Sequence, residues 1–383
     1  MIDMNNMSST RCHRDSLYNR LFNILSNNTN ASSCLTLYSS SPEYRDVYHA
    51  GRYFYAYFTP IIIVVGILGN TLSLNVFLSR NLRSLSSSTY LAALSVSDLF
   101  ILTFYVTVEW LRRGLTFLFP GSNVRFLDVN GMCEFQLYIS YVSRFMSSWL
   151  LVAFTVERYI GICFPLLRRN LCTTTSTRKI VSGIFLFSAI IVIYKPILSG
   201  IYKSDAGNLY CTGSPKHGFI SFVFDSIFAL LISFVPFVII MVINILIIKK
   251  LLRQKRSKNC KRVMTEESTI RLEFTIILLA LSICFIIFNI PYLVLWCRNF
   301  LTSKYVTTLN ASTSDVNLSY WQGLLYFVRT IFYINYCINF FLYLITGAYF
   351  RREVRVLFSY KTLRRSIDRN VKDDEAYGCL RLI

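Results

Sequence analysis

Long apolar runs separated by short polar stretches dominate the pattern along the chain. Seven runs each contain about 20 or more mostly apolar residues, the length of helix that crosses the hydrocarbon core of a bilayer. They extend over Tyr53 to Leu78, Thr89 to Leu111, Met132 to Phe164, Ile180 to Leu198, Phe219 to Ile248, Phe274 to Trp296 and Gly323 to Ile345. The pattern predicts an all-α fold, a bundle of seven transmembrane helices.

Basic residues are concentrated in every second loop between these runs. Lys and Arg in short loops stay on the cytoplasmic side of a membrane, so the N-terminus is expected outside and the basic cluster from Lys249 to Arg271 inside. This bias accounts for most of the formal charge of +20. It favours anionic membrane lipid and an acidic cytoplasmic protein as partners and argues against nucleic acid.

The composition agrees with a lipid environment, since 54% of the 383 residues are hydrophobic and only 16% are charged. We predict an extracellular glycosylated segment over 1–52, a transmembrane domain over 53–346, and a cytoplasmic surface helix and tail over 347–383. The first fifty residues lack the apolar core of a cleavable signal peptide, so the first span is expected to act as the signal anchor.

Sequons for N-glycosylation test the same topology, because Asn-x-Ser/Thr is modified only on the lumenal side. All of them fall in the N-terminal segment or the last predicted outer loop. Their asparagines are Asn6, Asn27, Asn30, Asn310 and Asn317. The sequons therefore agree with the distribution of basic residues.

Eleven cysteines are present, and most lie in the runs or on the cytoplasmic side, where thiols stay reduced. Cys133, at the outer end of the third run, and Cys211, in the second outer loop, both face an oxidising compartment. We expect a disulfide between them that ties the loop to the helix. Cys12, Cys34 and Cys297 are also predicted outside, and a bridge from Cys297 to one of the other two is left open.

Polar side chains in the inner halves of the runs indicate an internal network, because a polar group in lipid needs a partner. These residues are Asn70, Asp98, Asn335, Asn339 and Tyr343, the last three at i, i+4 and i+8 on one helical face. The network either only holds helices together or takes part in a conformational switch. The ionisable Asp98 and the length of the stripe favour the switch.

Charged residues also occupy the outer halves of the runs. They are Glu109, Arg144, Lys195, Asp225 and Arg329. Glu109, Lys195 and Arg329 lie near run ends, so each either extends to the headgroups or contacts a ligand. Arg144 lies eleven residues after the third-run cysteine, near the middle of its helix. It must face a cavity of the bundle or pair with a carboxylate.

Short motifs occur in a fixed order along these runs. They are Gly69-Asn70, LAALSVSD ending at Asp98, Cys133, Glu157-Arg158-Tyr159, Pro236, Phe285 with Pro291, Asn339 to Tyr343, and FRREVRVLF. Together with the outer pair of cysteines, this set resembles the rhodopsin-like (class A) G-protein-coupled receptors over roughly Tyr53 to Phe358. The last motif is similar to that family's amphipathic helix on the membrane surface.

The resemblance implies a plasma-membrane receptor that promotes nucleotide exchange on a heterotrimeric G protein. By resemblance, Glu157 restrains Arg158 at rest, Arg158 turns into the bundle on activation, and Tyr159 completes the triplet for G-protein coupling. The basic third inner loop, with Glu266 and Glu267 leading into the sixth span, is expected to belong to the coupling surface. The expected activation network consists of Asn70, Asp98, Pro236, Phe285, Pro291, Asn335, Asn339 and Tyr343.

Several positions depart from the family pattern. Asn289 replaces the tryptophan before the sixth-span proline, Phe340 replaces the seventh-span proline, and Asn244 replaces a fifth-span tyrosine. A tryptophan that is usual in the fourth span is also missing. Without its proline the seventh helix is expected to be straighter.

The ligand class is suggested by two substitutions and a closer resemblance. Amine receptors carry an aspartate where this chain has Ser140, and retinal-binding opsins carry a lysine where it has Tyr333, so both classes are disfavoured. The strings FNIP, INFFLY and TGAYFRREV are similar to invertebrate FMRFamide-like neuropeptide receptors, which implies an extracellular peptide ligand. The candidates for ligand contact are Glu109, Ser140, Arg144, Asp225, Asn289 and Arg329.

Two ligand chemistries are left open by these residues. An amidated peptide ending in Arg-Phe would place its guanidinium against Glu109 or Asp225. Arg144 and Arg329 would repel that guanidinium unless the same carboxylates neutralise them. In that case a small anionic or lipid ligand is the alternative.

Other classes of function fit the sequence less well. A metal-dependent intramembrane enzyme needs a cluster of ligands, but the only histidines are His13, His49 and His217, none deep in a run. We therefore expect no metal, no cofactor and no enzymatic activity. A membrane transporter would account for the charges within the runs, but we detect neither the paired repeats nor the glycine-broken half-helices of transporters.

Overall fold

The computed structural model of the protein describes residues 42–122, 124–203, 209–257, 266–305 and 314–359. Within these ranges six helices are long and apolar enough to cross a membrane, and a pair of helices bent by 46° provides a seventh span. The predicted bundle of seven helices is therefore confirmed. Asn6, Asn27, Asn30, Asn310, Cys12 and Cys34 lie outside the described residues, as does the side chain of Asn317.

The spans follow the predicted order. The first three are Pro42–Phe77, Ser86–Leu118 and Met132–Cys163. The fourth and fifth are Thr174–Ile197 and Pro215–Arg253, the sixth lies in Glu266–Tyr305, and the seventh consists of Ser314–Ile334 and Asn339–Thr346. Short helices lie at Arg125–Leu127 and Pro165–Leu171, a further helix covers 348–359, and the second outer loop contains strands β1 (Ser199–Lys203) and β2 (Leu209–Gly213).

The first helix begins at Pro42, about three turns before the apolar run at Tyr53. Its additional turns pack on the seventh span where two glycines meet. A Cβ atom added to Gly51 would lie 2.3 Å from the carbonyl oxygen of Gly323. Only residues without side chains allow two backbones to approach this closely. The seventh span thus supports a helical extension that the apolar pattern does not predict.

The third span packs against the second, fourth and fifth spans. Large apolar side chains from several spans are buried around its inner half, among them Leu91, Phe154 and Leu278. Many exposed side chains of the spans are also apolar, such as Leu68 and Ile190. Apolar residues on the outer faces of helices are expected where lipid tails surround a bundle.

A π-helical turn at Leu230–Phe234 precedes Pro236 in the fifth span. In such a turn the carbonyl of Leu231 would accept from the amide five residues later, but proline has no N–H. The indole nitrogen of Trp149 in the third span donates to this carbonyl at 3.1 Å. Pro236 therefore leaves a backbone acceptor that links the fifth span to the third.

The expectation of a straighter seventh helix is wrong. Its two parts meet at 46°, although Phe340 stands in place of proline. Between them, Asn335 and Cys337 donate backbone hydrogen bonds three residues back, as in a 3₁₀ turn. The carbonyl of Tyr336 accepts a hydrogen bond from the Asn70 amide at 2.8 Å. The bend is thus stabilised by a bond from the first span, which does not depend on proline.

The predicted disulfide between Cys133 and Cys211 is present and joins the third span to β2. Asp128 reinforces the junction, because its carboxylate accepts from the Cys211 amide at 3.0 Å and from the Arg112 guanidinium at 2.9 Å. Cys297 is a free thiol, and its two possible partners, Cys12 and Cys34, lie outside the described residues. These contacts hold the β1–β2 hairpin at the outer end of the third span.

Candidate functional site

The inner end of the third span carries the Glu157-Arg158-Tyr159 triplet. One oxygen of Glu157 accepts from two nitrogens of Arg158, Nε at 3.0 Å and Nη2 at 2.6 Å. The other oxygen accepts from the hydroxyl of Ser86, at the start of the second span. The Arg158 and Glu157 side chains are only 10% and 5% exposed. Tyr159 instead packs edge-on against Phe164, with ring centres 5.8 Å apart.

The second inner loop adds a contact to the same triplet. The Sγ atom of Cys172 lies 3.7 Å from the backbone carbonyl oxygen of Glu157 and donates to it. Burial raises the pKa of the Cys172 thiol, and the Glu157 carboxylate acts in the same direction. The thiol therefore stays protonated, as this hydrogen bond requires.

A second carboxylate connects the sixth span to the helix at 348–359. Oε1 of Glu273 accepts from the backbone amide of Tyr349 at 2.8 Å, in the first turn of that helix, where amides lack helical acceptors. Gly347 leaves room for the carboxylate, since an added Cβ atom would lie 3.1 Å from the same oxygen. Any movement of the inner end of the sixth span away from the seventh must break this bond.

The segment that carries the FRREVRVLF motif forms the helix at 348–359, and part of this helix packs on the bundle. Phe350 and Glu353 are buried, and the Glu353 carboxylate accepts from the Asn81 amide of the first inner loop at 2.7 Å. Val356 and Phe358 are exposed. The helix is thus fixed to the bundle on one side and presents apolar and basic residues on the other.

Asp98 is fully buried and connects three spans. Its carboxylate accepts from the Ser147 hydroxyl of the third span at 2.8 Å and from the Asn339 amide of the seventh at 2.6 Å. Tyr343 is also fully buried, and its ring lies edge-on to Phe77 of the first span at 5.1 Å. The inner network is therefore built around one carboxylate, and the bond from Asn70 to the seventh-span bend adjoins it.

A small cavity of about 20 Å³ lies beside Ser147 and Asn339, the two residues that donate to this carboxylate. It is lined by Leu94, Ser147, Leu151, Leu281, Phe285, Asn335 and Asn339. The volume has room for about one water molecule. The cavity brings Phe285 of the sixth span and Asn335 of the seventh next to Asn339, while Pro291 lies further along the same continuous helix as Phe285.

Glu109 pairs with two arginines in the outer half of the bundle. Its Oε2 atom lies 2.9 Å from Nη1 of Arg329 in the seventh span and 2.8 Å from Nε of Arg113 in its own helix. The Arg329 side chain is 11% exposed and that of Arg113 is 46% exposed. The carboxylate is therefore engaged by a buried cation and by one near the surface.

Asp225 pairs with Lys195 across the fourth and fifth spans. The ammonium of Lys195 lies 2.9 and 2.8 Å from the two carboxylate oxygens, and its side chain is 8% exposed. The hydroxyls of Tyr141 and Tyr194 donate to the same carboxylate at 3.1 Å each. Lys195 thus turns into the bundle instead of extending to the headgroups.

Arg144 is held by aromatic rings. Its Nε atom donates to the Ser140 carbonyl at 3.1 Å, and its guanidinium carbon lies 4.2 Å, 4.4 Å and 5.3 Å from the ring centres of Tyr105, Tyr141 and Phe228. Among the described residues it forms no salt bridge. Each cation–π contact contributes about 0.5–2 kcal/mol, against about 2.5–3.5 kcal/mol for placing an arginine at the centre of a spanning helix.

The two neutral ligand candidates are buried and have partners in their own helices. The Ser140 hydroxyl donates to the Leu137 carbonyl at 2.8 Å. The Asn289 amide donates to the Phe285 carbonyl at 2.7 Å. The structure therefore joins the four charged ligand candidates into clusters between helices, but not the two neutral ones.

Ser86, Ser147 and Glu273 are bonded to these sites but were not predicted. Serine is a weak signal, because its hydroxyl often bonds to a carbonyl of its own helix. Glu273 carried a clearer signal, since it directly precedes the sixth apolar run and lies close to a loop that is otherwise basic. A carboxylate at such a boundary needs a partner for the same reason as Glu157.

Comparison with known proteins matches the chain to one family of membrane receptors. The sequence matches the model of the 7 transmembrane receptor (rhodopsin family) over residues 69–343, which is more than half of the chain. It is 24% identical over 322 residues to neurotensin receptor type 1 of Mus musculus, covering 76% of this chain and 72% of that receptor.

Two further relatives differ in how much of this chain they match. C-C chemokine receptor type 7 of Homo sapiens is 24% identical over 333 residues, covering 84% of this chain and 79% of the relative. Cephalotocin receptor 1 of Octopus vulgaris is 29% identical over 106 residues, covering 28% of this chain. That match spans only 25% of the length of the octopus receptor.

Proposed function

The chain belongs to the rhodopsin family of seven-transmembrane receptors, and we propose that it is a plasma-membrane receptor that is activated by an extracellular peptide and promotes nucleotide exchange on a heterotrimeric G protein. The observation that carries this proposal is the nearly buried Glu157–Arg158 pair at the inner end of the third span. Two charges withdrawn from water cost several kcal/mol each. A buried pair that costs this much is explained if it exists only in the resting state. In the active state Arg158 leaves Glu157 and faces the G protein.

Support for a peptide ligand comes from the relatives. They are named as receptors for neurotensin, for C-C chemokines and for cephalotocin. The resemblance to FMRFamide-like receptors in the sixth and seventh spans favours the same class. The outer half of this chain offers the charged and aromatic side chains that peptide recognition uses.

Two hydrogen-bonded restraints define the resting state in this proposal. Glu157 holds Arg158, and Glu273 holds the helix at 348–359 through the Tyr349 amide. Both must open if the inner ends of the fifth and sixth helices are to move apart. A ligand shifts the population only as far as its affinity for the open state exceeds that for the closed one.

The orientation follows from the same proposal. The N-terminal segment is extracellular, carries glycans at the predicted sequons, and leaves the basic loops in the cytoplasm. The helix at 348–359 lies on the inner leaflet, where exposed Val356 and Phe358 enter the lipid and Arg352 and Arg355 contact anionic headgroups.

A peptide screen in cells tests the proposal. Cells that express the receptor are treated with synthetic peptides, each prepared as the free acid and as the amide, and the separation of Gα from Gβγ is recorded. At least one peptide is expected to cause separation in wild type, and the same peptide none in Arg158→Ala at equal surface expression. Accumulation of a labelled peptide inside cells without G-protein activation would instead identify a transporter.

A further inference from the structure

We propose that Arg144 anchors the ligand by binding a carboxylate, so that the receptor selects an acidic group and not the guanidinium of an amidated Arg-Phe peptide. This inference rests on the proposed receptor function and specifies the ligand chemistry of the outer half of the bundle. Two observations carry it: how the charges of the outer half are paired, and which hydrogen-bond donors of Arg144 are free.

Both outer carboxylates are already bound by cations of the protein. Glu109 lies within 2.9 Å of Arg329 and 2.8 Å of Arg113, and Asp225 lies 2.8 Å from Lys195. A cationic ligand would have to displace one of these partners and leave it unpaired in a site of low dielectric constant. The charge of each outer carboxylate is therefore already balanced by a cation of the protein, and a ligand guanidinium would have to compete with that cation.

The guanidinium of Arg144 is in the opposite situation. Within the described part of the chain, Nε alone has a hydrogen bond, to the Ser140 carbonyl at 3.1 Å. The two terminal nitrogens have no acceptor among the described residues, and they are not among the polar atoms sealed inside the protein. A guanidinium presents its N–H groups in a planar fork that matches the two oxygens of a carboxylate. The rings stabilise the cation without occupying that fork.

The depth of Arg144 indicates which part of a ligand reaches it. It lies eleven residues below Cys133 on the third span, or about 16 Å by the helical rise. An extended peptide covers this distance with about five residues. The neighbouring Tyr105, Tyr141 and Phe228 rings suit an apolar or aromatic side chain beside the carboxylate. A peptide end that carries both groups fits these requirements.

A small probe tests the site before the natural ligand is identified. Binding of N-acetylphenylalanine and of its amide to the purified full-length receptor is compared by ligand-observed NMR. Wild type is expected to bind the acid at least about tenfold more tightly than the amide, because only the acid carries the charge. Arg144→Gln is expected to remove the difference. Absence of acid binding, equal binding of both probes, or a preference that survives Arg144→Gln would overturn the inference.

Two further variants separate a local contact from general electrostatics and from misfolding. Arg113→Gln removes the same charge from the outer half, but from an arginine that is already paired, so it should keep the preference for the acid. A loss as large as in Arg144→Gln would assign the effect to net charge and contradict the inference. Arg144→Lys keeps the charge at the site and is expected to retain the preference with weaker binding, because an ammonium cannot form the two-point contact.

Peptides and a lipid then identify the source of the carboxylate. Each active free-acid peptide is tested as its amide and with Asp or Glu replaced by Asn or Gln, with oleate as the lipid probe. Neutralising one carboxylate should lower potency at least about thirtyfold in wild type, but not in Arg144→Gln. Activation by oleate and by no peptide would move the source to lipid and contradict the peptide assignment.

The two proposals fail in different ways. If neither amidation nor replacement of Asp and Glu lowers the potency of the active peptides, the Arg144 inference fails and the receptor assignment stands. If the acid probe binds through Arg144 while no ligand activates a G protein, the anion site stands and the receptor function fails.

Discussion

At the scale of single residues, the charges inside this receptor are stabilised by partners on neighbouring helices or turns. The Glu157–Arg158 pair could be predicted, because adjacent charges at the end of an apolar run have few other partners. The Lys195–Asp225 pair could not, because it joins residues 30 positions apart on two helices whose rotation the sequence does not fix. The aromatic surroundings of Arg144 were missed for the same reason.

Glu157→Gln is expected to raise basal G-protein activation. A neutral amide bonds less strongly to Arg158 and to the Ser86 hydroxyl than the carboxylate does. The loss is about 1 kcal/mol, or about fivefold in the ratio of active to resting receptor. Ser86→Ala removes one of these bonds and should give a smaller rise in the same assay. Unchanged basal activity of Glu157→Gln at equal surface expression would contradict the restraint.

Arg158→Ala is expected to abolish G-protein activation while surface expression and ligand binding are retained. Ligand binding should be retained because Arg158 lies 25 residues after Cys133 on a continuous helix, far from the outer half of the bundle. Binding of a labelled agonist and G-protein activation are measured on the same cells. Wild-type signalling by this variant would remove Arg158 from the mechanism.

At the scale of helices, contacts between spans determine the shape of the bundle as much as local sequence does. The apolar runs predict the spans well, because lipid requires about twenty apolar residues in helix. They do not predict the bend of the seventh span, since its stabilising hydrogen bond comes from Asn70, 266 residues away from Tyr336. The glycine contact that extends the first helix is long-range in the same way.

Glu273→Gln is expected to raise basal activation by weakening the connection between the sixth span and the helix at 348–359. A charged acceptor at a helix N-terminus contributes about 0.3–1 kcal/mol more than a neutral one, which corresponds to a rise of up to about fivefold. Glu353→Gln is the matched control, because Glu353 bonds to Asn81 of the first inner loop and not to the sixth span. Equal effects of the two substitutions would exclude a specific restraint at Glu273.

Peptide mapping of the unreduced receptor is expected to recover the segments of Cys133 and Cys211 as one linked fragment. The bridge holds the β1–β2 hairpin at the outer end of the third span, so Cys211→Ser should weaken agonist binding by freeing the hairpin. Recovery of either thiol as free in active receptor would show that the bridge is dispensable.

At the scale of the whole molecule, the number and order of the spans follow from hydropathy and from the positions of basic residues. We expect a glycosidase that removes N-linked glycans to lower the apparent mass of the receptor, and a variant with all five sequon asparagines changed to glutamine to lack that shift. An epitope at the C-terminus should be reached by antibody only after the cells are permeabilised. Antibody binding to this epitope in intact cells would place the C-terminus outside and contradict the predicted orientation.

The most direct test of the receptor mechanism needs no ligand. Purified wild type, Glu157→Gln and Arg158→Ala receptors are reconstituted in lipid vesicles with heterotrimers from each Gα class, and the rate of nucleotide exchange is measured. Glu157→Gln is expected to accelerate exchange on at least one heterotrimer about fivefold over wild type, and Arg158→Ala to match empty vesicles. Exchange at the rate of empty vesicles for all three receptors and every heterotrimer would contradict the proposal that this chain acts on G proteins.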